Sequence, residues 1–108
     1  MKIKYVLGAV FAATFLAASA AQADDYVITL KDDQFSPAEL TIPAGQKVKL
    51  TVKNAGASVA EFESSDLNRE KIVEAGSEII VFVGPVDAGK YTYFNDFHRE
   101  TTGTIIAK

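Results

Sequence analysis

The sequence contains no cysteine, a single histidine and a single methionine among its 108 residues. Without a thiol the chain cannot form a disulfide, a Cys-ligated iron–sulfur cluster, a copper–thiolate bond or a cysteine nucleophile. With one histidine, a Ser–His–Asp triad would need a serine in a nucleophile-elbow pattern, and no serine lies in one. A glycine-rich phosphate loop is also missing from the sequence. Thiol chemistry, triad hydrolysis and nucleotide-phosphate binding are therefore excluded.

The long hydrophobic run of this sequence lies at its N-terminus. Two lysines precede an apolar run from Tyr5 to about Ala18, and small residues then lead to the A-x-A pattern Ala21-Gln22-Ala23. The apolar run is short for a membrane span, so the pattern indicates a secretory signal peptide; a retained anchor helix is the alternative. We expect cleavage after Ala23, giving a signal peptide of residues 1–23 and one periplasmic domain of residues 24–108.

Acidic residues outnumber basic ones. The sequence has 14 acidic and 11 basic residues, and removal of Lys2 and Lys4 with the signal peptide leaves 9 basic residues and a net charge of −5. A negative surface argues against nucleic acid and anionic membrane as partners, and it suits cations.

Short segments of alternating apolar and polar residues fill the remaining chain. The clearest is Gln46–Lys53, in which three apolar side chains point one way and lysines and a threonine point the other. Nearly every residue of Glu78–Val83 is apolar, as expected of a strand covered on both faces. The other predicted strands are Tyr26–Lys31, Glu39–Ile42, Val59–Glu63, Glu70–Glu74, Lys90–Asn95 and Thr102–Ala107. Seven or eight short strands without a helical period predict an all-β, antiparallel Greek-key sandwich or barrel.

Four motifs, in this order and spacing, resemble the cupredoxin-like domains. They are Phe35-Ser36-Pro37 with Leu40-Thr41-Ile42-Pro43-Ala44-Gly45, then Val48-Lys49-Leu50-Thr51-Val52-Lys53-Asn54, then Gly89-Lys90-Tyr91-Thr92-Tyr93, and finally Gly103-Thr104-Ile105-Ile106. The resemblance extends over the whole of residues 24–108. It implies a cupredoxin-like fold.

The ligand positions of the blue-copper members are not kept. In those members a His follows the Asn loop, and a Cys, a second His and usually a Met come from the last hairpin, forming a His₂Cys site with a weak axial ligand. Here Ala60 or Glu61 stands at the first His position, Asn95 at the Cys position, His98 at the second His position and Thr101 at the Met position. The resemblance therefore does not imply a type 1 copper site.

The same departures resemble a narrower group. The stretches VAEFES, LNREKIV and GKYTYFNDFHRE are similar to the EfeO-type cupredoxin-like proteins, some of which are small periplasmic components of bacterial ferrous-iron uptake systems. In that group the Cys position tends to be acidic, within an acid-acid-aromatic-His stretch, whereas here Asn95 replaces the first acid. The resemblance implies a site for an iron or copper ion. Its implied ligands are His98, Glu61, Asp96, Asn95 and Glu63.

The residues themselves leave two interpretations open. Glu61 and Glu63 flank Phe62 in a predicted strand, so both carboxylates face away from the core. Carboxylates with one imidazole suit Fe²⁺, Fe³⁺, Mn²⁺ or Cu²⁺. The same glutamates also fit the polar side of an exposed strand, Asp96 a turn, Asn95 a loop hydrogen bond and His98 a solvated or capping residue.

Two functions follow from these interpretations. The first is a periplasmic metal-binding protein that assists iron uptake by binding and oxidising Fe²⁺, together with a membrane permease or a periplasmic iron-binding partner. The second is an interaction module without metal, which docks a membrane transport partner.

Overall fold

The computed structural model describes residues 25–108, which form nine β-strands. The predicted signal peptide and its cleavage site lie outside the described residues. The strands are β1 Asp25–Lys31, β2 Gln34–Ser36, β3 Glu39–Ile42, β4 Val48–Asn54, β5 Ala60–Ser64, β6 Arg69–Val73, β7 Glu78–Val83, β8 Gly89–Asn95 and β9 His98–Ala107. In this part of the chain no helix is long and apolar enough to cross a membrane.

The strands form two packed sheets, with orders β2-β1-β4-β7 and β3-β9-β8-β5-β6. This confirms the predicted all-β sandwich, and within residues 25–108 the sheets do not close into a barrel. The expectation of purely antiparallel sheets is wrong, because β1 pairs with β4, and β3 with β9, in parallel. The chain leaves the first sheet for β3 and returns as β4, which brings β4 back beside β1 in the same direction.

Nine strands replace the predicted seven or eight because β2 has only three residues. It follows a two-residue turn in which Asp32 and Asp33 have φ values of 53° and 58°. Positive φ at both central residues is the requirement of a type I′ hairpin turn, which usually contains Asn-Gly or Asp-Gly. With neither glycine nor asparagine in the turn, the usual sequence signal of such a hairpin is missing.

The core between the sheets is built around Tyr93, whose side chain is fully buried. The ring of Tyr93 packs edge-on against Phe35, at 4.9 Å between centroids, and in a tilted arrangement against Phe62, at 5.1 Å. On another side it lies so close to Gly103 that a Cβ there would collide with the Tyr93 ring. These contacts fix β8 and β5, the two strands that carry most of the predicted site.

The apolar strand β7 is covered on one face only, contrary to expectation. Val81 and Val83 are buried, whereas Ile80 and Phe82 are 40% and 48% exposed. The reason is the two-layer architecture: no further layer covers the outer face of the four-stranded sheet among the described residues.

Candidate metal centre

The predicted site begins on β5, the strand next to the edge strand β6 of the five-stranded sheet. Glu61 and Glu63 lie on the outer face of this sheet, while Phe62 between them is 1% exposed and packs in the core. β6 returns antiparallel to β5 and places Glu70 directly opposite Glu63. Residues directly opposite each other on antiparallel strands share a face, so all three carboxylates point outward.

The three glutamates form a carboxylate cluster. Glu61, Glu63 and Glu70 each offer an oxygen within 4.8 Å of the others. Partial desolvation, followed by hydrogen bonding and Coulomb repulsion with Glu70 and with Asp96, raises the pKa of Glu61 from 4.5 to about 7. Like charges add to the effect of desolvation here, and a cation would be stabilised beside them.

Asp96 joins the cluster from the turn between β8 and β9. Its backbone N–H donates to the Glu61 carbonyl over 2.9 Å, which fixes the turn against β5. Arg99 Nη2 lies 2.6 Å from Asp96 Oδ1, and the Arg99 guanidinium lies 5.4 Å from the centre of the Phe94 ring. This contact is a close ion pair without the alignment of a hydrogen bond, since Asp96 Oδ1 has no aligned donor in the described structure.

Asn95 points the other way, into the end of the sandwich. Its side chain is 3% exposed, and its Oδ1 accepts from the backbone N–H of Glu61 at 3.0 Å and of Phe97 at 3.1 Å. Two acceptor directions are available on an amide oxygen, and both are in use. To bind a metal through Oδ1, Asn95 would have to lose one of these two hydrogen bonds to backbone N–H groups.

His98 lies opposite Asn95, at the start of β9. It is exposed, and with Asn95 it lines a cavity of about 330 Å³ at this end of the sandwich. The Asp32–Asp33 turn and the loop after Asn54 form the other walls. The one group of three or more possible ligands within residues 25–108 does not include His98.

The predicted ligand set is therefore divided. The structure brings Glu61, Glu63 and Asp96 together on the outer face, and it places Asn95 and His98 at the end cavity. Coordination by any of the five stays a prediction. The division arises at a register shift after Phe94, where the β8–β9 pairing changes.

Glu70 was missed by the sequence analysis. It lies in a predicted strand, but its place in the site depends on the β5–β6 register. The signal was present: Ser65–Asn68 connects the two strands, and a tight connection pairs Ser64 with Arg69 and Glu63 with Glu70.

The donor set decides which metals fit. A type 1 copper site needs a thiolate, and this chain has none. Clustered carboxylates are oxygen donors that suit iron or manganese in either common charge state, and they also accept Cu²⁺. Glu61, Glu63 and Glu70, with Asp96 beside them, are the residues that could hold such an ion.

A two-sheet sandwich of nine strands, with its last hairpin at the candidate site, defines the class as cupredoxin-like. A family model for the cupredoxin-like domain matches residues 4–107, and the chain belongs to this family.

Solved structures show the same fold. Auracyanin A, a “blue” copper protein from Chloroflexus aurantiacus, superposes with a TM-score of 0.67 at 15% identity, covering 81% of this chain and 100% of that one. A purple cupredoxin from Nitrosopumilus maritimus gives 0.62 at 19% identity, covering 78% and 100%. Reduced auracyanin from Roseiflexus castenholzii gives 0.66 at 14% identity, covering 81% and 99%. At these identities the likeness concerns the fold alone.

A closer relative in sequence is the uncharacterized protein RP394 of Rickettsia prowazekii (strain Madrid E). It is 43% identical over 79 residues, which cover 73% of this chain. The match spans 63% of that relative's length, so the relative contains further sequence outside it.

Proposed function

We propose that this chain is an EfeO-type cupredoxin-like protein of the periplasm, which binds iron through surface carboxylates and assists ferrous-iron uptake. The observation that carries the proposal is the set of Glu61, Glu63 and Glu70 oxygens within 4.8 Å of one another. The proposed location rests on the signal-peptide pattern that ends at Ala23.

The cluster is built at a cost, which a cation would offset. Like charges opposite each other in a sheet are destabilising, and here Glu63 faces Glu70 with Glu61 and Asp96 in contact. Arg99 supplies one positive charge, to Asp96. A bound divalent ion would supply the remaining compensation.

The same donors favour oxidation of the bound iron. Coulomb attraction to carboxylates grows with the charge of the ion, so they stabilise Fe³⁺ more than Fe²⁺. Loss of one electron from each Fe²⁺, to dioxygen or to Cu²⁺, then gives Fe³⁺ on the protein. A membrane permease or a periplasmic iron-binding protein is the proposed recipient of the ion.

Equilibrium dialysis against Mn²⁺, Cu²⁺ and, without oxygen, Fe²⁺ tests this function, with bound metal counted by elemental analysis. We expect the double variant Glu61→Gln/Glu63→Gln to lose at least about tenfold in iron affinity. The matched control is Glu39→Gln/Glu74→Gln, which removes the same charge from exposed positions outside the cluster. Equal affinities of the two double variants would contradict the proposal.

His98→Ala in the same dialysis decides the role of the end cavity. Binding that survives His98→Ala assigns the ion to the carboxylates alone. Loss of metal binding in His98→Ala would identify His98 as a ligand, as the family resemblance implies. Admission of oxygen to the iron-loaded protein, followed by ferric absorbance, reports oxidation separately from binding.

The alternative is an interaction module without metal, docking a membrane transport partner. It is favoured by Asn95, whose oxygen is fully used by backbone amides at the family's Cys position. It is also favoured by Arg99, which already neutralises Asp96. This function predicts no metal binding above the level of Glu61→Gln/Glu63→Gln.

A further inference from the structure

The edges of the two sheets leave a groove on one side of the sandwich. Among the described residues β6 ends the five-stranded sheet and β7 ends the four-stranded sheet, and the two strands lie side by side without pairing. The groove between them has a volume of about 290 Å³. It is lined by Arg69, Glu70, Lys71, Ile80, Val81 and Phe82.

The free backbone of β7 is covered by side chains rather than by a strand. Arg69 Nε donates to the Phe82 carbonyl over 2.9 Å, and Arg69 Nη1 donates to the Asn68 carbonyl over 2.9 Å, which holds the guanidinium across the groove. Lys71 Nζ lies 3.4 Å from the Ile80 carbonyl, a weaker contact. The N–H and C=O of one residue point to the same side of a strand, so the N–H groups of Ile80 and Phe82 face this groove too.

The composition of β7 favours pairing of its free edge with another strand. Its sequence, EIIVFV, is rich in β-branched and aromatic residues, contains no proline or glycine, and carries a single charge. An apolar edge strand with unpaired backbone groups is a template for pairing with another chain. Ile80 and Phe82 are 40% and 48% exposed, and such a pairing would bury part of their apolar surface.

We propose that the free edge of β7 is a strand-addition surface for β7 of a second copy of this chain, and that Arg69, assisted by Lys71, holds it closed in the monomer. The inference does not depend on metal binding. A two-fold axis beside Ile80 pairs Ile80 with Ile80 of the second copy, and Glu78 with Phe82. Lys47 Nζ lies 4.8 Å from the Phe82 ring centre, so the pairing brings Glu78 of one copy to Lys47 of the other. Opposite charges therefore meet at both ends of the paired segment.

The test compares Arg69→Met/Lys71→Met with Arg99→Met/Lys90→Met. Both pairs remove two positive charges and keep an apolar side chain, but only the first opens the β7 edge. Mass is measured by sedimentation over a range of concentrations, and exchange of the Ile80 and Phe82 amides by NMR. We expect the mass of Arg69→Met/Lys71→Met to double and both amides to exchange at least tenfold more slowly. Wild type and control stay monomeric.

Two further variants separate edge pairing from other association. Adding Ile80→Lys to Arg69→Met/Lys71→Met places a charge on the pairing edge and restores the monomer. Arg69→Met alone, which replaces one exposed side chain and removes no buried group, raises the association constant at least tenfold over wild type. The proposal is overturned by a monomeric Arg69→Met/Lys71→Met, by a dimer with unprotected Ile80 and Phe82 amides, or by a wild type already paired through β7.

Discussion

The two sheets differ in the charge pairs that neighbouring strands form on their outer faces. On the four-stranded sheet Lys49 lies opposite Asp25, and Lys53 opposite Glu78. On the five-stranded sheet Glu63 lies opposite Glu70. An opposite-charge pair across two strands stabilises by about 0.2–1 kcal/mol, and a like-charge pair destabilises by a similar amount. The unfavourable pair is the one that the proposed binding role of the carboxylates would require.

The largest expected effect comes from replacing Asn95, whose side chain holds the backbone of Glu61 in place. Asn95→Ala deprives the partly buried N–H groups of Glu61 and Phe97 of their acceptor. We expect a loss of about 2–4 kcal/mol in the free energy of unfolding, measured in urea, together with weaker metal binding. Asn95→Asp keeps an acceptor oxygen and should lose less. A change below about 0.5 kcal/mol for Asn95→Ala would show that the two hydrogen bonds to Asn95 Oδ1 contribute little to stability.

Glu70→Lys makes the five-stranded face resemble the other one. It turns the Glu63–Glu70 pair into an opposite-charge pair, so we expect the protein to gain about 0.5 kcal/mol of stability while iron affinity falls. Glu74→Lys is the control, because it changes the same charge at an exposed position after β6. Unchanged iron affinity in Glu70→Lys would remove Glu70 from the site.

Lys53→Glu performs the reverse change on the four-stranded face. It sets two carboxylates opposite each other at Glu78 and should cost about 0.3 kcal/mol of stability, with no effect on iron binding. Thermal unfolding and dialysis of the same sample measure both quantities. An iron affinity that rises in Lys53→Glu would mean that general negative charge, not the arrangement of Glu61, Glu63 and Glu70, attracts the ion.

The smallest effect is a pH dependence from Glu61. The pKa of Glu61 is raised from 4.5 to about 7, so the folded protein binds more protons than the unfolded chain between these values. The stability that this proton contributes is complete below pH 4.5 and is lost as pH rises through about 7. Unfolding of wild type and Glu61→Gln, compared from pH 4 to pH 8, should show this slope in wild type alone. Iron affinity should rise over the same range, because Glu61 must lose its proton to bind.

Strict alternation and, for β7, a continuous apolar run made most of the strands predictable. β3 and β7 have the predicted bounds, and β4 differs by two residues at its start and one at its end. β2 was not predicted because three residues are too few to show a period. The parallel pairings could not be predicted either, since they depend on which sheet each strand enters, and this is decided by the packing of the whole chain.

The sequence predicts only those parts of the candidate site that depend on a single strand. The common face of Glu61 and Glu63 follows from alternation alone. The opposite orientations of Asn95 and Asp96 depend on the register shift between β8 and β9, which long-range pairing decides. The ion pair of Arg99 with Asp96 depends on the conformation of the turn between β8 and β9, which no sequence pattern predicts.

The backbone of Glu61 is held on both sides by residues of the last hairpin. Its N–H is held from within by Asn95, its carbonyl accepts from the N–H of Asp96, and its side chain is part of the outer cluster. A molecule that entered the end cavity and drew Asn95 away would therefore shift Glu61 on the opposite face. By thermodynamic reciprocity, an ion bound outside would change the affinity for that molecule by the same factor. The backbone of one residue would then link the end cavity to the outer face of the sheet.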